Sequence, residues 1–126
     1  MARQTFFPDT LSKPSGFSPA TRVGKMIFVS GQVGVDSNGE LAGADCGSQA
    51  GKCLKNIESA LKDAGAELSD VTKITTFLVN MEDYPAYAAV RLNWFPSDGP
   101  ASSTVAVNAL VRPEFLIEIE AVAVLS

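Results

Sequence analysis

The chain has 126 residues, of which 46% are hydrophobic, and its 10 Lys and Arg against 14 Asp and Glu give a formal net charge of −4. It contains no histidine, which excludes Ser-His-Asp and Cys-His nucleophilic sites and most catalytic zinc sites, because these depend on imidazole. Acid–base chemistry must then fall to carboxylates, hydroxyls, Lys or water.

The first part of the chain predicts an arm followed by a β-hairpin. Residues 6–16 contain two prolines among polar residues, a pattern typical of an extended arm with turns. Two strand-like runs, 17–23 and 26–30, flank Gly24-Lys25. A two-residue Gly-X connection suits a tight hairpin between them.

The middle of the chain predicts a long helix. Apolar side chains recur at spacings of three and four from Cys46 to Ala64, which places them on one helical face. Asp45 or Ser48 can cap the start of this helix, and Gly65 fits the position just past its end.

The remaining third predicts a strand, a second helix and two more strands. Residues 71–79 are rich in Val, Ile and Thr, which favour strands. Asp83 can cap a helix that runs to about residue 95 with a proline in its first turn. After a turn-rich loop, residues 102–110 and 115–125 are predicted as strands.

The cysteine positions, the hydropathy and the distribution of charge predict where the protein is located and argue against membrane and nucleic-acid partners. Cys46 and Cys53 lie about two helical turns apart, roughly 10 Å, which is too far for a disulfide, so we expect reduced packing residues. The N-terminus lacks the apolar region of a signal peptide, and no apolar run approaches a membrane span. The scattered cations argue against nucleic acid. We expect one soluble, cytoplasmic domain over residues 1–126, with no membrane or nucleic-acid partner.

The order of elements predicts an α+β sandwich, in which two helices cover one face of a mostly antiparallel sheet with hairpins at both ends. The last strand alternates: Ile117, Ile119, Ala121 and Ala123 point one way, and Glu118, Glu120, Val122 and Val124 point the other. Two helices can cover only one face, so we expect the second, half-apolar face to pack against another subunit.

The pair Glu118 and Glu120 is the first candidate for chemistry. Two carboxylates on one strand face repel when buried, which raises at least one pKa and suits a general acid or base. The alternative, which the residues alone favour, is that both face solvent or pair with Lys or Arg across the strands.

Two polar segments are further candidates. Ser30-Gly31-Gln32 offers a hydroxyl, a backbone amide and a side-chain amide that could hold a carboxylate or carbonyl oxygen, or it could be an ordinary turn. Residues 100–104 could form an anion-binding nest or simply the polar start of a strand. The aromatic residues of the second helix are more typical of packing than of ligand binding.

Three segments together resemble the RidA/YjgF family, also known as endoribonuclease L-PSP or translation initiation inhibitor. They are Phe17-Ser18-Pro19-Ala20 continuing to Ile27-Phe28-Val29-Ser30-Gly31-Gln32, then Asn56-Ile57 with Leu61, Gly65 and Ala66, and finally Pro100-Ala101-Ser102-Ser103-Thr104-Val105 with Ile117-Glu118-Ile119-Glu120-Ala121. The resemblance covers nearly the whole chain, including its length and element order.

The resemblance implies a chorismate-mutase-like fold that assembles as a homotrimer with ligand clefts between neighbouring subunits. The best-understood members hydrolyse reactive enamines and imines, such as 2-aminoacrylate, to a keto acid and ammonia, without a metal or organic cofactor. In them, an arginine in a Pro-Ala-Arg-Ser stretch clamps the substrate carboxylate, and a glutamate on the last strand positions the attacking water. A tyrosine and an asparagine often line the cleft.

This chain departs from that pattern at three positions. The glutamate is retained as Glu118 and the Ser30-Gly31-Gln32 segment is intact, but Ser102 replaces the arginine, Phe17 the tyrosine and Ala88 the asparagine. On this alignment the ligand-binding residues are expected to be Phe17, Ser30, Gly31, Gln32, Ala88, Ala101, Ser102 and Ser103, with Glu118 as the catalytic residue.

The absence of an arginine at position 102 bears directly on activity. An arginine fork makes two charge-assisted hydrogen bonds to a carboxylate, worth about 1.5–3 kcal/mol each, and a loss of about 1.4 kcal/mol weakens binding tenfold. We therefore expect that the protein is not a standard 2-aminoacrylate deaminase. Arg22, Arg91 or Arg112 could supply the charge from elsewhere, although none occupies the matching strand position.

Two functional hypotheses follow. In the first, the protein is a cofactor-independent hydrolase in which Glu118 activates water, while Phe17 makes the pocket more apolar and thereby raises the pKa of Glu118. In the second, it is a non-catalytic trimer that binds a small metabolite as a regulator or scaffold. Ribonuclease activity is the weakest alternative, because the acidic balance and the lack of histidine both oppose it.

Overall fold

The structure, a computed structural model, describes residues 2–126. Within this range six strands and two α-helices follow one another as β1 (Gln4–Phe6), β2 (Ala20–Val23), β3 (Met26–Val33), α1 (Cys46–Asp63), β4 (Val71–Leu78), α2 (Tyr84–Trp94), β5 (Ala101–Ala106) and β6 (Ile117–Val124). Short 3₁₀ helices at Leu68–Asp70 and Met81–Asp83 precede β4 and α2.

The strands form one sheet in the order β1-β2-β3-β6-β4-β5. All neighbours are antiparallel except β4 and β5, which are parallel. Helix α1 packs on β3 and β6 and against α2, so both helices lie on the same side. The predicted α+β class, with two helices on a mostly antiparallel sheet, is confirmed.

The predicted C-terminal hairpin is wrong, because β5 and β6 are not neighbours in the sheet. A strand–helix–strand crossover places its two strands parallel, and α2 accordingly brings β5 beside β4. Strand β5 also ends at Ala106 rather than near residue 110. Val107 donates its backbone N–H to Leu78, the last residue of β4, so residues beyond it have no partner strand.

The N-terminal hairpin is confirmed, and one strand before it was not predicted. Val23 pairs with Met26 across a two-residue turn in which Gly24 has a φ of +58°. Strand β1 ends at Phe6, the first residue of the predicted arm, and adds to the edge of β2, where Thr5 pairs with Thr21.

Helix α1 begins and ends where the capping residues predict. The Asp45 carboxylate accepts a hydrogen bond from the Ser48 backbone N–H at the start, and Gly65 has a φ of +90° after the end. Cys46 and Cys53 are free and buried. Burial raises the pKa of the Cys46 thiol to about 11 and raises that of Cys53 further, so both act as packing residues.

The alternation of β6 separates the two faces of the sheet. The residues that face the helices are buried in the core, namely Ile117, Ile119, Ala121 and Ala123. The opposite face, here called the open face, carries partly exposed hydrophobic side chains: Val23, Met26, Phe28, Val105 and Val124. No helix in residues 2–126 combines the length and apolar composition needed to cross a membrane.

A buried glutamine joins the start of α1 to the entry of β6. The Gln49 side-chain amide is fully buried and donates to the carbonyls of Gly43, at 3.0 Å, and Glu114, at 3.1 Å. Its side-chain oxygen accepts the backbone N–H of Leu116 at 2.9 Å. Both polar atoms of this side chain are therefore used, and their bonds join the segment before α1 to the loop that leads into β6.

We expect Gln49→Leu to lower the free energy of unfolding by about 2 kcal/mol or more, because the backbone groups of three residues lose their partner. Urea denaturation at a fixed protein concentration measures this loss. Gln4→Leu, on the exposed edge strand, is the matched control and should change the free energy by no more than about 0.5 kcal/mol. Equal stability of the two variants would contradict this account of Gln49.

Candidate functional site

Glu118 lies on the open face of the central strand β6, opposite Val33 of β3 and Phe77 of β4. Its side chain extends over Gly31: a Cβ added at position 31 would lie 2.7 Å from the Glu118 carboxyl carbon. A glycine at position 31 therefore leaves the space that the carboxylate occupies.

The Glu118 carboxylate is half-buried and lacks an ion-pair partner within residues 2–126, where the salt bridges are Lys55–Glu58 and Arg112–Glu114. Burial raises the pKa of Glu118 above the usual glutamate range, and the nearby Glu120 carboxylate raises it further. Glu120 itself is exposed. The alternative of ion pairing with Lys or Arg is thus wrong for Glu118, whose proton affinity suits acid–base chemistry.

The Ser30-Gly31-Gln32 segment is a β-bulge within β3. Val29 pairs with Ala121, and Gln32 pairs with Ile119. Two residues of β3, Ser30 and Gly31, therefore lie opposite one residue of β6, Glu120. The segment is therefore not an ordinary turn.

Two side-chain hydrogen bonds fix the shape of this bulge. The Ser30 hydroxyl donates to the Ser18 carbonyl at 2.6 Å, and the Gln32 side-chain amide donates to the Ser30 carbonyl at 3.1 Å. These bonds hold Gly31 beneath Glu118.

Phe17 lies beside this bulge. It lines a small cavity of about 130 Å³ together with Gly31, Gln32 and Asn56, and the residue is 59% exposed. Asn56, which is buried, donates to the carbonyls of Val33 and Val35 and thereby ties α1 to the chain that follows the bulge. Within one chain Phe17 thus forms an apolar rim and does not enclose the carboxylate.

A larger cleft of about 690 Å³ lies between α2 and β5. It is lined by Tyr84, Ala88, Arg91, Leu92, Phe95, Gly99, Pro100, Ser102 and Thr104. Two predicted ligand-binding residues, Ala88 and Ser102, therefore come together here.

The other two predicted residues of β5 lie outside this cleft. Ser102 pairs with the buried Ile74 and faces the helix side of the sheet. Its neighbours alternate to the open face, where the Ser103 hydroxyl accepts a hydrogen bond from Lys73 at 2.8 Å. Ala101 shares that face.

The structure separates the predicted site residues by face of the sheet. Glu118 and Gly31, here called the carboxylate group, lie together on the open face, whereas the cleft between α2 and β5 lies on the helix side. Gln32 pairs with a core residue of β6 and lines the small cavity with Phe17, away from the carboxylate. A single chain does not bring Ser102 and Glu118 together, because they occupy opposite faces of different strands.

The three candidate arginines have different surroundings. Arg22 donates to the carbonyls of Gly24 and Ala64 and so closes the end of α1. Arg112 pairs with Glu114 at 3.0 Å.

Arg91 alone of these three lines the cleft. Its Nη2 lies 2.9 Å from the Tyr84 hydroxyl and its Nη1 lies 3.4 Å from the Ser102 hydroxyl. Arg91, one of the three arginines named from the sequence, lies on helix α2 and not at the matching strand position. Its spacing from Tyr84 and Tyr87 places all three residues on one helical face.

Comparison with known proteins assigns the family. The family model described as Endoribonuclease L-PSP matches residues 9–125. The chain is 37% identical to a RutC family protein of Pyrococcus abyssi and 35% identical to the 3-aminoacrylate deaminase RutC of Acinetobacter baylyi, with 98% of each chain covered in both cases. The crystal structure of RidA from Psychrobacter sp. matches with a TM-score of 0.91 at 30% identity, covering 97% of this chain and 99% of that one. The chain belongs to the endoribonuclease L-PSP family, the RidA/YjgF family.

Proposed function

We propose that the protein hydrolyses a small enamine or imine to a carbonyl compound and ammonia, with Glu118 as the acid–base residue. The observation that carries this proposal is the half-buried Glu118 carboxylate, which lies over Gly31 without an ion-pair partner in residues 2–126. The relative named 3-aminoacrylate deaminase, an enzyme for an enamine, supports the same chemistry.

The reaction needs only water and proton transfers. An enamine takes a proton on carbon to become an imine, and water then adds across the C=N bond. Glu118, when ionised, takes a proton from that water, and when protonated it returns the proton to the departing nitrogen. As the C–N bond of this adduct breaks, its hydroxyl group loses its proton to the ionised Glu118 carboxylate or to water, so ammonia leaves and the C=O bond of the product forms. The reaction involves no net oxidation or reduction, so it requires no redox cofactor.

The proposal places the site between two subunits of a homotrimer. The carboxylate group and the α2–β5 cleft lie on opposite faces of one chain, so a second copy is needed to bring Glu118 to the cleft. The partly exposed hydrophobic residues of the open face offer the surface that such a copy would bury.

Assembly is tested by sedimentation equilibrium, in which we expect the mass of a trimer at micromolar concentration. Phe28→Glu places a charge on the open face and should shift the protein to lower mass, because a charge is costly to bury. Val111→Glu is the control, since Val111 is 87% exposed outside the strands and should leave the mass unchanged. A monomeric wild-type protein would remove the proposed site.

Activity is tested by ammonia release from enamines generated in the assay, both 2-aminoacrylate and 3-aminoacrylate. Loss of a positioned acid–base group costs about 10²–10⁴ in rate, so Glu118→Gln should lower kcat/KM at least a hundredfold. Glu40→Gln, an exposed carboxylate elsewhere, is the control. Turnover unchanged in Glu118→Gln would contradict the role of Glu118, and no turnover by the wild type would favour the non-catalytic binding trimer.

The pH dependence tests the same residue independently. A base must be ionised, so kcat/KM should fall as the pH drops through the pKa of Glu118, which lies above the usual glutamate value. Glu120→Gln removes the neighbouring negative charge, so it should lower that pKa and move the acid limb of the profile to lower pH. An acid limb that stays in place or moves to higher pH would be incompatible with this assignment.

A further inference from the structure

The cleft between α2 and β5 contains one cationic side chain and no acidic one among its lining residues. Arg91 supplies the charge, and the rest of the lining is aromatic, aliphatic or hydroxylic. A concave surface with a single positive charge of this kind selects for a ligand with a compact negative charge.

Neutral groups hold the Arg91 guanidinium. It bonds the Tyr84 hydroxyl at 2.9 Å and approaches the Ser102 hydroxyl at 3.4 Å, and it takes part in neither salt bridge of residues 2–126. Arg112, by comparison, is neutralised by Glu114 at 3.0 Å. A guanidinium has five N–H donors, so Arg91 keeps donors for a ligand and its charge is not compensated by a carboxylate of the chain.

The aromatic residues of α2 keep this guanidinium in place. Its central carbon lies 5.0 Å from the ring centroid of Tyr87 and 5.5 Å from that of Tyr84. Tyr87 is fully buried and forms a 2.6 Å hydrogen bond with Thr76 of β4. This bond attaches α2 to the sheet one helical turn before Arg91, so the guanidinium is positioned before any ligand arrives.

We propose that Arg91 is the carboxylate-binding residue of this cleft, supplying from α2 the charge that β5 lacks at Ser102. The ligand class is a small monocarboxylate, a keto acid or the enamine or imine derived from one. This inference rests on the proposed function for the choice of ligand class. The missing arginine at position 102 predicted a weakened anion site. We now expect that the anion site is kept and that its arginine lies on a helix and not on a strand.

The position of Ser102 supports an exchange of roles. An arginine at position 102 would extend from β5 into the space that the Arg91 guanidinium now occupies, 3.4 Å from the Ser102 hydroxyl. The short Ser102 side chain therefore makes room for Arg91 and can itself donate a hydrogen bond to the same anion. The two residues act as one site, so their effects on binding should not be additive.

Equilibrium binding tests the proposal without requiring turnover. Isothermal titration measures the affinity of the assembled protein for pyruvate and for its uncharged methyl ester. We expect the wild type to prefer pyruvate, and Arg91→Gln, which keeps a polar side chain beside Tyr84, to bind pyruvate at least tenfold more weakly with little change for the ester. Arg112→Ala removes a positive charge outside the cleft and should leave pyruvate binding unchanged.

A rescue variant separates anion binding from a structural role. Ser102→Arg combined with Arg91→Gln restores a guanidinium to the cleft from the strand, so it should recover most of the lost affinity for pyruvate. Equal affinity of the wild type and Arg91→Gln for pyruvate, or equal affinity of the wild type for pyruvate and the ester, would overturn the proposal. Binding that depends on Arg91 without ammonia release would remove the proposed hydrolase and leave this inference standing.

Discussion

Strand β6 makes hydrogen bonds on both sides, to β3 and to β4, and this double pairing orders the rest of the molecule. A strand in that position must alternate strictly, because a slip of one residue would turn every side chain to the other face. Ile117 and Ile119 consequently lie in the core beneath the helices, while Glu118 is held on the open face. The carboxylate is placed by a central strand whose register is fixed on both sides.

The same constraint keeps the two charged groups apart. Arg91 lies on the helix side of the sheet, whereas Glu118 lies on the open face of the same chain. In direct contact the two would form an ion pair, which would lower the pKa of Glu118 and occupy the donors of Arg91. Within one chain, separation by the sheet leaves the carboxylate with its raised pKa and the guanidinium with its charge unneutralised.

Local patterns in the sequence predicted the parts of the fold that depend on local interactions. Helix α1 follows from apolar periodicity between a capping Asp45 and Gly65, and the β6 alternation follows from the order of its residues. The position of β5 did not follow, because pairing with β4 depends on the crossover through α2, a non-local contact. Glu118 was identified from its strand, whereas Arg91 was named only as one of three candidate arginines, since its place in the cleft depends on how α2 lies over β5.

The division of the proposed site between two faces of the sheet has a consequence for how substitutions can alter ligand preference. In the proposed function, the residues that bind the ligand belong to α2 and β5, whereas the carboxylate that reacts belongs to β6 and lies over the bulge of β3. Substitutions in the cleft leave the packing around Glu118 and Gly31 untouched. New ligand preferences can therefore be acquired by altering one short helix and one exposed edge strand, while the chemical step keeps its geometry.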